Sequence, residues 1–397
     1  KIGTHQGAVI RTTDKSTQGH NAYYILEYPK GTASVLLRYG VSFISSEQAK
    51  QNLRREIKNY NLQAVADKGR SVWNETLGKI FVKGGTENEK TVFYTSLYRT
   101  YERMICISED SRYFSAYDGQ VHDDEGIPFY VDDWIWDTYR ATHPLRLIIE
   151  TEMESNMVNS LIRMAYQMQP NWMPTFPEIN GDSRRMNCNH GVAMVLDAYN
   201  KGMRSFDLAK AYQVCKAAIT EKTLAPWSSK PAGVLDQFYK DHGYFPALAV
   251  GEQETVPEVH SWERRQPAAV TLGTVYDEWC LGNIAQALGD KKEADYFLKR
   301  SLNYHKIFNK ETCFFHPKDS FGNFIQPFDY RYSSGVGGRD AYDENNGWVY
   351  RWDLPHNVAD LVNMMGGKER FVEELERMYS TPLGKGRPDF HHQFGDH

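Results

Sequence analysis

Residues 130–145 read YVDDWIWDTYRATHPL, which packs four aromatics, three aspartates, an arginine and a histidine into sixteen positions. Read as a helix from Asp133, the stretch puts Asp133, Trp136, Asp137 and Arg140 at i, i+3, i+4 and i+7. Two carboxylates, an indole and a guanidinium then share one face. A sugar needs that mixture: carboxylates accept hydrogen bonds from vicinal hydroxyls, a flat ring covers the C–H face of a pyranose, and convergent polar groups fix orientation. The plainer alternative is an amphipathic helix with core tryptophans and an Asp137–Arg140 surface salt bridge. The residues alone leave both open.

Working outward, helical patterns follow one another at 88–107, 133–151, 155–169, 191–201, 206–221, 271–288, 291–308, 347–365 and 368–378, nearly all with apolar residues at i, i+3 and i+4. Serial helix pairs joined by long aromatic-rich loops predict an α/α toroid, in which alternate loops build a site at one end. The N-terminal end differs. AYYILEY and SVLLRYGVSFI are rich in β-branched and aromatic residues and predict strands over the first 46 residues. One long helix is predicted over 46–77, with Ser46 as N-cap, and a short strand over 79–83.

At 397 residues the chain exceeds one ordinary core of ~150 residues. Its 46 basic and 51 acidic residues give a net charge of −5 with no basic block, which argues against nucleic acid as a partner. Aromatic content is 13%, with 25 Tyr and 9 Trp, in keeping with sugar-stacking surfaces. The five cysteines lack CxxC spacing, so neither a zinc cage nor a dense disulfide framework is indicated. Apolar runs fall far short of the ~20 residues a membrane span needs. The chain opens in mid-pattern, as part of a longer one would. No GxGxxG, P-loop, GxSxG or HExxH occurs, which removes most nucleotide, serine-esterase and zincin chemistry.

Three further clusters carry candidate chemistry. DSRRMNCNHG, 182–191, is a polar loop leading into a helix. Asn189 and His190 are its candidates for binding, against the reading of an Asn-rich cap and a satisfied buried histidine. DENNGW, 343–348, followed by Pro355-His356-Asn357, offers Glu344 and Asn346 as hard oxygen ligands for Ca²⁺, with Trp348 and His356 beside them. A lone DENN turn is also a common N-cap. Trp262, Glu263, Arg264 and Arg265, with Glu252, Glu254 and Glu258, form a charged loop before the helix that carries Tyr276, Asp277, Glu278 and Trp279.

In order along the chain, VSFISSEQAKQNLRREI, TVFYTSLYRT, WDTYRATHPL, GVAMVLDAYNKG, DHGYFP, YDEWCLGNIAQALG and ENNGWVYRWDLPHNVADLVNMMGG resemble glycoside hydrolase family 92, the calcium-dependent exo-α-mannosidases. The resemblance implies a mainly α fold: an (α/α)6 toroid-type catalytic domain at 87–397, incomplete at its C-terminus, a linker helix and short strand at 47–86, and at 1–46 the tail of a β-sandwich. It implies inverting release of terminal α-mannose from glycans, with Trp136, Asp137 and Arg140 lining the sugar subsite and Glu344 and Asn346 at the sugar or at Ca²⁺. It also implies a periplasmic or extracellular setting.

Where relatives carry their acid, a glutamate after the leucine of the 270–279 segment, this chain has Gly273, so Glu258 and Glu263 are the candidate replacement acids. A leaving group needing little protonation, such as a mannosyl phosphodiester, is the other solution. No DxDxGQ-type base segment appears before the chain ends at FHHQFGDH, and Asp343 replaces the histidine of α-1,2-specific members, which speaks against that linkage. The runner-up is a non-catalytic mannoside-binding relative that lost the acid. A glucoside-directed (α/α)6 glycosidase requires the WDTYR and ENNGW matches to be accidental.

Overall fold

In the computed structural model, residues 2–6, 9–11, 22–331 and 340–381 are described. The chain separates into two compact units, residues 1–75 and 76–397. The expected C-terminal histidine-rich end, 390–397, lies outside the described residues.

In the first unit Ile2–Gln6 is the middle strand of an antiparallel sheet, flanked by Val9–Arg11 and Ala22–Leu26, with Thr4 opposite both Arg11 and Tyr24. The strand expected from SVLLRYGVSFI does not form. Its carbonyls and side chains turn instead to the helix Ser46–Glu56: Asn52 Nδ2 donates to Val41 O at 3.0 Å, and the Arg38 guanidinium donates to Ile57 O at 2.7 Å. Gly40 is needed there, because a Cβ would lie 2.9 Å from Leu53 Cβ. The single helix expected over 46–77 is two, Ser46–Glu56 and Leu62–Leu77. Asn59 and Asn61 break it, their side chains accepting backbone N–H groups at 3.0 Å and so competing with the helix ladder. Ser45, one residue earlier than expected, is the N-cap.

The second unit is mainly helical. Helix Glu87–Arg99 opens on a full capping box between Thr86 and Glu89 and stops well short of the expected residue 107. No strand forms at 79–83. The expected 133–151 helix is interrupted: Ile135–Thr138, then Thr142–Ile149, then Thr151–Gln167. Asp133, Trp136, Asp137 and Arg140 therefore do not share one helical face. Likewise 347–365 divides into Gly347–Tyr350 and Val358–Met364 around Pro355. A helix not expected, Val234–His242, forms between Gly233 and a left-handed Gly243, the Asp236 carboxylate accepting Gly233 N at 2.7 Å.

The organising element is Pro267–Ala287, with 16 of its 21 residues buried. Its sequence is apolar on all sides, the mark of a helix surrounded by protein. It packs against Lys291–Arg300, Gly191–Asn200 and Leu208–Thr220. Proline at its first position supplies a preset φ and lacks an N–H that would be unpaired there anyway. All five cysteines are free thiols.

The break at 139–141 lies one turn before Pro144, which has no N–H to give the Arg140 carbonyl, and the pieces on either side of it are joined by a buried ion pair. Asp133 and Glu154, both fully buried, take opposite sides of the His143 ring, each at 2.8 Å. A neutral imidazole has one N–H, so two carboxylate partners require the imidazolium. Burial pushes the His143 pKa down, but Glu154 and Asp133 outweigh it and raise it to about 10. Stability from this pairing is thus full below the ordinary histidine value of about 6.5 and is lost as pH rises through about 10. We expect His143→Leu to destabilise the chain by roughly 3–5 kcal/mol at pH 6, since it leaves two buried carboxylates without their cation. The deficit should shrink by pH 10. Urea unfolding at the two pH values checks this, and an equal deficit at both would mean the ring is not charged.

Candidate active site

Asn187, 7% exposed, is where the separate sequence clusters meet. Its Oδ1 accepts the Trp136 indole N–H at 3.3 Å and the Cys188 thiol at 2.9 Å. Its Nδ2 donates to Gln266 Oε1 at 2.8 Å and to Asp343 Oδ2 at 3.2 Å. One carboxamide thereby ties the WIWDTYR segment, the start of the central helix and the DENNGW turn. Gln266 caps that helix from a left-handed φ of 46°, and its Nε2 donates to Glu263 Oε2 at 3.1 Å.

The loop bearing Asn187 is held from below by Asp277, fully buried on the central helix. Its two oxygens accept Asn189 N at 2.7 Å and the His190 Nδ1–H at 2.8 Å. This fixes the His190 ring with its Nδ1 committed to Asp277. Arg184, Met186 and Cys188 in the same loop all have φ between 51° and 67°, a strained path that the Asp277 and Asn187 bonds hold in place. Tyr139 lies over His190 at 4.2 Å between centroids, and Tyr276, Trp279 and His356 continue the ring cluster at about 6 Å spacings. Arg140 donates to Tyr139 Oη at 2.7 Å and pairs with Asp353 at 2.9 Å.

The other expected residues divide. Asp137 is exposed on the first turn of its short helix. Trp348, expected on the sugar, is a core residue 7% exposed, packed edge-on to Phe314 at 5.4 Å. Asn346, expected on a metal, is fully buried, and its Oδ1 accepts Trp348 N and Val349 N as an N-cap. Its oxygen is thus committed to the helix. Among the described residues no group of three or more His, Cys, Asp or Glu side chains is placed to hold a metal ion. His356 donates Nε2–H to Ser301 O at 3.2 Å and packs in the ring cluster. Glu258 lies half-buried against Gly233, where a Cβ would come within 3.1 Å of its carboxyl. Glu263 is 1% exposed and reaches Asn187 through Gln266.

Gly273 is buried on the central helix, one turn before Asp277, beneath Cys188 and His190. A Cβ there would overlap Cys188 Sγ and lie 2.9 Å from its Cβ. Burial raises the Cys188 thiol pKa well above its ordinary value, so the sulfur is neutral filler rather than a nucleophile. A cavity of about 590 Å³ opens beside this assembly, lined by His260, Arg264, Arg265, Phe328, Tyr342 and Asn345. Tyr342 and Asn345 flank Asp343, which joins the cavity wall to the Asn187 junction. Sequence reasoning missed Gln266 and the organising role of Asp277. The Gln-Pro pair before a long, largely apolar helix is the signal that marks Gln266.

The glycosyl hydrolase family 92 catalytic-domain model matches residues 48–395. A solved inverting family 92 mannosidase from Bacteroides thetaiotaomicron is 27% identical, with a TM-score of 0.77 over 97% of this chain and 50% of that one. An α-mannosidase of the same family and organism, solved with mannoimidazole, shares the fold at 24% identity and a TM-score of 0.72, over 87% of this chain and 42% of that one. An uncharacterized secreted glycosidase from Arthroderma benhamiae is 24% identical over 92% of this chain and 46% of its own length. The chain thus spans about half the length of the relatives it matches. Its mainly helical architecture agrees with theirs, and with the catalytic-domain match running through nearly its whole length, the chain belongs to glycosyl hydrolase family 92.

Proposed function

We propose that the protein is an inverting glycosidase that releases terminal α-mannose from glycans, built on an (α/α)6 toroid-type domain after the remnant of a β-sandwich. The observation that carries the reading is the Asn187 junction: one buried carboxamide ties an indole, a glutamine-bound carboxyl and Asp343, whose neighbours Tyr342 and Asn345 line a cavity large enough for a sugar. The resemblance to solved mannosidases supplies the substrate class, and the relative described as secreted supports export. No helix among the described residues is long and apolar enough to cross a membrane.

In the proposed reaction Trp136 and Asp137 hold the sugar. Glu263, buried and linked through Gln266 to the junction, gives its proton to the glycosidic oxygen as the C1–O bond breaks. Water adds to C1 from the opposite face and yields its proton to a second carboxylate of the whole protein. Glu258 is the weaker candidate because its carboxyl lies against Gly233. Of the two expected calcium ligands, Glu344 alone keeps that role, the Asn346 oxygen being engaged in the cap.

A second reading, a mannoside-binding relative without turnover, is favoured by one feature: Cys188 fills the space over Gly273, where the resemblance places the family's acid.

Hydrolysis of aryl α-mannosides by the full-length protein, with good and poor leaving groups, separates the two. Glu263→Gln should lower kcat on the poor leaving group by roughly 10²–10⁴-fold while sparing the activated one. Glu258→Gln should change neither, and the reverse pattern would reassign the acid. Activity that survives chelator would remove calcium from the proposal. Mannose binding without cleavage of either substrate would establish the second reading.

Packing at Gly273 gives an independent check. Alanine normally stabilises a helix relative to glycine by about 1 kcal/mol. We expect Gly273→Ala to destabilise instead, by roughly 1–3 kcal/mol, through overpacking against Cys188. Adding Cys188→Gly should recover most of the loss in a urea titration. A stabilised Gly273→Ala variant would mean the sulfur does not occupy that space.

A further inference from the structure

Of the tryptophans in the second unit only Trp227 and Trp262 are exposed, at 37% and 56%. Both are tied to one residue. The His260 ring lies 5.7 Å from that of Trp227, and its Nδ1 accepts the backbone N–H groups of Trp262 at 3.3 Å and Glu263 at 3.2 Å. His260 in turn lines the cavity of about 590 Å³. The two indoles that this unit leaves to solvent therefore stand beside the wall of its large cavity.

Trp227 is held out against the preference of its own backbone. Lys222, Thr223, Leu224, Ala225 and Ser228 around it are between 2% and 8% exposed, so the turn is packed and the indole is the part directed outward. The turn is also fixed: Leu224 N–H donates to Asp236 Oδ1 at 2.6 Å, and Thr223 N–H to Lys230 O at 3.0 Å. At Trp227 φ is 57°, a region that a bulky side chain seldom adopts. Strain of that kind gathers at binding sites, and here it delivers a large apolar ring to solvent on a rigid support. Beside the ring, 5.6 Å from its centroid, is the Arg185 guanidinium, whose ion pair with Glu178 is loose at 3.7 Å.

We propose that Trp227, with Arg185 and His260, forms a subsite for a second sugar residue, the one next to the terminal mannose, so that the substrate is an oligosaccharide and not a simple mannoside. The identity of the ligand rests on the glycosidase reading above. An indole covers the C–H face of a pyranose, and a guanidinium with five N–H donors and a loose ion pair can turn to its hydroxyls. The cavity lies within the range of about 300–1,000 Å³ that takes drug-sized ligands, which leaves room beside one hexose for the next. Because the platform is set before the ligand arrives, binding orders little of the protein.

Kinetics of the full-length protein on α-mannosyl fluoride, which has nothing beyond the sugar, and on an α-linked mannotriose test the subsite. Trp227→Ala should raise KM for mannotriose roughly 5–10-fold with kcat unchanged, and alter neither constant for the fluoride. Trp227→Phe should recover most of the loss. An unchanged KM for mannotriose in Trp227→Ala would overturn the subsite, whereas a parent protein that cleaves neither substrate would overturn the glycosidase reading instead. Binding is read separately in crystals of the parent soaked with a thio-linked α-mannotrioside, which resists hydrolysis. A pyranose should lie against the Trp227 ring. Sugar confined to the cavity, or none at the indole, would overturn the proposal even if the variants fail to fold.

Discussion

Everything near the candidate site depends on one buried carboxylate having to be neutralised by hydrogen bonds. Asp277 sits in the middle of a helix surrounded by protein, where an ionised group without donors would be very costly. The donors come from a backbone N–H and an imidazole of the 182–190 loop, so satisfying Asp277 and fixing Asn189 and His190 are the same event. From that fixed loop Asn187 reaches three segments distant in sequence. The strained φ values at Arg184, Met186 and Cys188 persist because the bonds around them leave the loop no cheaper path.

The same logic recurs at 133–154. There the buried carboxylates of Asp133 and Glu154 both bind His143, across the break that Pro144 makes in the helix. In both places buried carboxylates draw their donors from other segments of the chain, and the chain between is fixed by that pairing.

Much of the second unit was legible in sequence because helical periodicity is local and strong: the predicted segments at 191–201, 206–221 and 368–378 match observed helices to within a few residues. Failures came where tertiary partners decide. Nothing in SVLLRYGVSFI announces that Asn52 and Arg38 would claim its neighbourhood for a helix. Asn346 looks like a metal ligand and is a cap, the difference resting on two backbone N–H groups the sequence cannot place. Trp348 carries the same aromatic signal as Trp136, yet one ring is core and the other bonds to Asn187. Gln266 went unseen because its role depends on a left-handed backbone that glutamine seldom adopts.

The contact between Cys188 and position 273 also makes two residues far apart in sequence a single unit of variation. A side chain at 273 is crowded out while a sulfur stands at 188, and a sulfur at 188 is crowded out while a side chain stands at 273. Substitutions at the two positions are therefore non-additive: each is tolerated only in the company of the other, and either one read alone misreports what the site accepts.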